Sequence, residues 1–129
     1  MQTVNFSRAN AARVESTAQS NRAGQQTELD VATFIAWTGA YAAKNTKLSD
    51  FYSRRFRAEF KPAVAAWVAT KPLKNPAAPL TPFAMPQYRL AAQHKAQALA
   101  RTADTATAIA KVDNQRSDNY VLALVLFAS

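Results

Sequence analysis

Apolar positions along the chain change spacing several times, and each change predicts an element. From about Thr3 to Ala43 the first half is polar, with Val4, Phe6, Ala11, Val14 and Ala18 as the apolar marks among Ser, Asn, Gln and Arg. From Leu29 it thickens into Leu29, Val31, Ala32, Phe34, Ile35, Ala36, Trp37, Ala40 and Tyr41, a stripe too broad for a fully exposed helix. Small residues at 11, 18, 32 and 39 recur at heptad spacing, with Gln25 in the missing slot, and hint at close packing along an Ala seam. Asn45 and Thr46 mark a turn and a helix N-cap. A second amphipathic helix is expected over about 47–70, because Leu48, Phe51, Tyr52, Phe56, Phe60, Ala63, Val64 and Trp67 recur at three- and four-residue steps. Pro62 lies inside that pattern and predicts a kink or a restart.

Residues 71–85 hold Pro72, Pro76, Pro79 and Pro82, with Pro86 just beyond. This stretch reads as an ordered, extended strap pinned to a core by Leu73, Leu80, Phe83 and Met85. A last helix is expected from Pro86, a good first-turn residue, to about Asn119 or further. Its apolar face would be Leu90, Ala91, His94, Ala98, Thr102, Thr105, Ile109 and Val112.

Composition supports the same class. Ala, the strongest helix former, fills roughly a fifth of the chain, and there are only two Gly. Period-two runs of β-branched and aromatic residues between turn signals are missing apart from the apolar tail at 120–129. The reading is all-α: a three-helix elongated bundle, with two long antiparallel helices, a shorter kinked helix and the Pro-rich strap. Ten of the thirteen aromatics lie within residues 34–88, and aromatics contribute disproportionately to core burial. A single domain over 1–129 is therefore expected, with an aromatic-rich head at about 29–100 on a stalk pairing about 3–28 with 101–119. Such an Ala-rich stalk buries little apolar area, so a homo-dimer forming a four-helix stalk is expected.

Length and chemistry exclude several classes. At 129 residues the chain is too short for a (β/α)₈ barrel. Without Cys it has no disulfide framework, zinc ribbon or thiol chemistry. Two Gly leave no phosphate-cradling loop, and no strand–turn–helix nucleophile elbow is present. His94 is the only His, and positions 90, 91, 97 and 98 are Leu, Ala, Gln and Ala, so no metal-ligand set surrounds it. The eight acids are scattered. No catalytic residue, metal or cofactor is expected, and the role is read as non-enzymatic.

Charge singles out one segment. Lys plus Arg number 16 against 8 acids, a formal charge of +8, which permits nucleic acid, anionic lipid or acidic polymer as partner. Arg54, Arg55, Arg57, Lys61, Lys71 and Lys74 lie in one stretch with Glu59 as its only acid. Interleaved aromatics resemble a nucleic-acid surface. The helical spacing of those aromatics favours a plainer arrangement, with rings in the core and cations in water. Trp37, Trp67 and Phe83 are a candidate apolar pocket or, more simply, core.

Several stretches carry a resemblance: Ala-Asn-Ala-Ala-Arg-Val-Glu at 9–15, Gly-Gln-Gln-Thr-Glu-Leu-Asp-Val-Ala-Thr-Phe at 24–34, Asp-Phe-Tyr-Ser-Arg-Arg-Phe-Arg-Ala-Glu-Phe-Lys-Pro-Ala at 50–63, the Pro-rich 75–86 and Asn-Gln-Arg-Ser-Asp-Asn-Tyr-Val-Leu at 114–122. Nearly the whole chain resembles a family of uncharacterised bacterial integral membrane proteins with a helical segment of this size between transmembrane helices. The resemblance implies that Tyr-Val-Leu-Ala-Leu-Val-Leu-Phe-Ala at 120–128 opens a membrane helix continuing past residue 129; with one span before residue 1 and its N-terminus in the cytoplasm, the domain is expected to be extracytoplasmic. It transfers no activity. The polar opening, Gln2 to Gln26, predicts no signal peptide. An anionic headgroup, an acidic polymer or an acidic protein then suits the basic residues better than nucleic acid. The competing expectation is a free-standing soluble module that binds an acidic partner or nucleic acid, with its tail folded back on the core.

Overall fold

The computed structural model describes the backbone of residues 2–128 and the side chains of residues 3–116. It is an all-α protein. Among the described residues there are four α-helices, α1 (Gln2–Ala42), α2 (Thr46–Ser53), α3 (Lys61–Ala69) and α4 (Ala91–Ala128), with one 3-10 turn at Pro82–Ala84 between α3 and α4. The chain divides into two compact units, Arg22–Ala91 and Met1–Asn21 with Ala92–Ser129.

In the unit built from the two chain ends, α1 and α4 pair antiparallel. Ser16 Oγ donates to the carbonyl of Ala96 at 2.8 Å, Arg13 Nη2 to Thr107 Oγ1 at 2.9 Å and Asn5 Nδ2 to Asp113 Oδ2 at 3.4 Å. These fix the register. Between them Ala9, Ala12, Ala96, Ala103, Ala106 and Ala110 are buried at the alternating three- and four-residue steps of a coiled-coil seam. Alanine at these positions lets the two backbones approach closely. The expected seam at 11, 18, 25, 32 and 39 is exposed, as is most of the expected α4 face, His94, Ala98, Thr102, Thr105, Ile109 and Val112. The bulky residues stay outside because they would hold the helices apart.

The Arg22–Ala91 unit holds the aromatic core. Trp37, Phe56, Phe60, Ala63, Val64 and Trp67 are buried together, with Phe34, Tyr41, Tyr52, Phe83, Met85 and Tyr88 packed around them. Phe60 stacks on Phe83 at 5.0 Å between centroids, and Phe34 meets Phe60, Trp67 and Phe83 edge-on, the offset and T-shaped geometries that ring quadrupoles favour.

The expected second helix is two helices. Its pattern breaks into turns over 54–60, and Pro62 falls in the first turn of α3, where its missing N–H costs nothing. The restart turns Phe56 and Phe60 into the core while Leu48 and Phe51, expected on the same stripe, stay 40% and 47% exposed. The α1–α2 corner is a Schellman cap. The Asn45 amide donates to the Ala40 carbonyl at 2.9 Å and the Lys44 amide to Tyr41 at 3.1 Å, with Lys44 left-handed at φ 58°. Asn45 then caps α2, its Oδ1 accepting from the Leu48 amide.

The strap is pinned differently from expectation. Pro82 is fully buried, and Trp67 Nε1 donates to the Pro79 carbonyl at 2.7 Å, whereas Leu80 is 93% exposed and Leu73 58%. Phe83 and Met85 do pack on the core. Helix α4 begins at Ala91 rather than at Pro86. Residues 86–90 are irregular because Tyr88 and Leu90 turn inward. The apolar stretch 120–128 continues α4 as helix; its side chains lie outside the described residues. No helix among the described residues is long and apolar enough to cross a membrane.

Candidate functional site

The six expected cations do not share one role. Arg57 leaves the set: it is the hub of a buried polar network within the Arg22–Ala91 unit. Its Nε and Nη2 donate to the two carboxylate oxygens of Asp30 at 2.9 and 2.8 Å, and its Nη1 donates to Glu59 Oε1 at 2.9 Å. Asp30 is completely buried. The Tyr88 hydroxyl donates to Asp30 Oδ2 at 2.8 Å and lies 3.2 Å from Thr27 Oγ1. Glu59 Oε2 accepts the Ala91 amide at 2.7 Å, satisfying an orphan donor at the start of α4.

The charges respond to these contacts. Hydrogen bonding to Asp30 raises the already high pKa of Arg57 against an opposing burial cost. The Ala91 amide, and then Arg57, hold the Glu59 carboxyl below its ordinary value. Burial, chiefly, pushes the Tyr88 phenol up. No buried side-chain polar atom of the network lacks a partner, so it works as a scaffold tying α1, the 54–60 turns and the start of α4. Arg57 was expected in the solvated basic face; the buried carboxylate overturns that. A signal for the network lay in α1: Asp30 is an acid in step with Ala23, Trp37 and Ala40, all buried.

Arg54, Arg55, Lys61, Lys71 and Lys74 are exposed. Arg55 lies over the Phe51 ring, its guanidinium carbon 3.6 Å from the centroid, and donates to the Phe51 carbonyl at 2.9 Å. With Lys47, Leu48 and Arg54 these residues line a shallow concavity of about 700 Å³ on the outer side of α2. Lys61 instead faces a different groove, between α1, α2 and α3. Lys71 is left-handed at φ 57°, at the end of α3, where a cation suits the helix dipole. Lys74 lies on the strap.

Of the expected pocket residues, Trp37 borders that groove, while Trp67 and Phe83 pack in the aromatic core. His94 is exposed. No cluster of three metal-ligating side chains exists among the described residues.

Neither protein-family models, nor curated proteins, nor solved structures give a match to this chain.

Proposed function

We propose that the chain is a non-enzymatic interaction module of a bacterial membrane protein, and that the outer side of α2 is where it meets an anionic membrane surface. The observation that carries this reading is the orientation of α2. It buries none of its residues, and its two bulky apolar side chains, Leu48 and Phe51, face water beside Lys47, Arg54 and Arg55, with Asp50 as the one acid among them. An amphipathic helix with its apolar face out and cations flanking it suits a headgroup boundary: the apolar tips enter the acyl edge and the cations meet phosphates. The Arg55 guanidinium stacked on Phe51 keeps a charge beside the inserting ring. The apolar helical stretch 120–128 and the resemblance of the sequence to integral membrane proteins support the same setting.

Flotation of the chain with vesicles tests the assignment. Vesicles containing phosphatidylglycerol should capture it at least about tenfold better than phosphatidylcholine vesicles. Arg54→Gln with Arg55→Gln, and separately Leu48→Ser with Phe51→Ser, should each remove most of that preference while far-UV circular dichroism stays unchanged. Equal capture by neutral vesicles overturns the reading. So does capture that the α2 variants leave intact but removal of residues 120–128 abolishes.

A further inference from the structure

The groove beside the aromatic core has a composition that points to a ligand of its own. It is an open groove of about 830 Å³ between the end of α1, α2 and α3, within the size range of small-molecule sites. Trp37, Phe56, Val64 and Val68 give it an apolar wall, and Leu73, 58% exposed, leaves apolar surface in water at its edge. Tyr41 stacks over Trp37 at 4.6 Å and 15°, and with Trp37 only 5% exposed it is Tyr41 that presents the aromatic face to the groove. Two cations border this wall from different elements, Lys44 at the α1–α2 corner and Lys61 at the start of α3, against a single carboxylate, Asp50. Neither lysine has an ion-pair partner among the described residues. Lys44 projects from a backbone fixed by the Schellman cap, so its charge is anchored at its root.

The nearby Ser49 and Ser53 hydroxyls, which donate to the carbonyls of Thr46 and Asp50, carry no charge to offset these cations. A flat apolar wall with unpaired positive charge on two sides discriminates by shape and by sign. We propose that this groove binds an amphipathic organic anion, with its flat apolar body on the Tyr41 face and the apolar wall beside it and its carboxylate, sulfonate or phosphate against Lys44 and Lys61. The site shares only Asp50 with the concavity on the outer side of α2 and does not depend on the membrane reading.

A matched pair of probes tests both halves of the proposal on the full chain: 8-anilino-1-naphthalenesulfonate and the neutral N-phenyl-1-naphthylamine, which keeps the rings and lacks the sulfonate. The expected result is saturable 1:1 binding of the sulfonate, at least about tenfold tighter than the neutral probe. Lys44→Gln with Lys61→Gln should weaken the sulfonate to the level of the neutral probe and leave the latter unchanged. Ala65→Trp, which fills the groove from an exposed position, should abolish binding of both. Equal affinity for the two probes overturns the anionic class. Binding of the sulfonate that survives the lysine pair or Ala65→Trp overturns the site, as does binding lost in the Arg54→Gln, Arg55→Gln variant, which would move it to α2. All variants should keep the helical circular dichroism of the parent, since every substituted side chain is exposed.

Discussion

Arg57 uses three of its N–H donors on two carboxylates, and one of those carboxylates has no access to water. Its value to the protein is therefore conditional. A buried ion pair contributes modestly against a well-packed apolar alternative, because both charges give up hydration. Removing one partner is different, since the other charge is left uncompensated. Asp30→Ala is expected to destabilise the Arg22–Ala91 unit by about 3–5 kcal/mol. Arg57→Lys keeps the charge but loses the planar fork that meets both oxygens of Asp30 while reaching Glu59, so it should also destabilise, by less than Asp30→Ala. Urea unfolding followed by Trp fluorescence measures both, because Trp37 and Trp67 lie in that unit. Two variants as stable as the parent would mean that the network is not a scaffold.

At the scale of the element, the helices were legible and their faces only in part: Phe56, Phe60, Ala63, Val64 and Trp67 are buried as their spacing predicts, but the faces of α2 and α4 are not the ones expected. Ala abundance, the Asn45 cap and the Pro-rich stretch mark where helices begin and stop. The choice of face failed in α4 because hydrophobic patterning ranks Ile109 and Val112 above Ala, whereas closely paired helices put the smallest side chains at the contact. A similar bias placed Leu48 and Phe51 in the core. It could not foresee that the turns at 54–60, held by Arg57 and Glu59, would reset the direction of the chain before Phe60. The groove was half visible for a related reason: Trp37, Trp67 and Phe83 belong together in the aromatic cluster, but only the three-dimensional arrangement brings Lys44 and Lys61 to the side where Trp37 borders open space. The inverted face of α4 makes a paired prediction. Ala103 is fully buried and Ile109 is 46% exposed. Ala103→Leu should overpack the seam and cost about 1–3 kcal/mol, while Ile109→Ala should change stability by no more than about 0.5 kcal/mol. Thermal unfolding by circular dichroism ranks the two, and the reverse order would place the contact face where the hydrophobic pattern puts it.

For the molecule as a whole, two shifted groups of the same network set opposite edges of a pH window. The folded protein holds Glu59 below its ordinary value. Its contribution is thus fully present above about pH 4.3, the usual glutamate value, and is lost as pH falls through the lower, folded value. Tyr88 is shifted up. Its contribution is fully present below about pH 10 and is lost as pH rises through the higher, folded value. At the acid edge the formal charge of +8 grows as carboxylates protonate, and self-repulsion adds to the loss. That second effect acts on every variant alike, so substitution separates the two. Glu59→Gln should be less stable than the parent at pH 7, and the difference should shrink as pH falls below about 4, where the parent's own carboxyl takes up its proton. Tyr88→Phe should be less stable at pH 7 through the lost hydrogen bond to Asp30, by about 1–3 kcal/mol for a bond to a charged acceptor. Its curve should converge on the parent's only above about pH 10. Urea midpoints read by Trp fluorescence across that range give all three curves. Variant curves running parallel to the parent at both ends would mean that general charge repulsion, and not these two groups, sets the window.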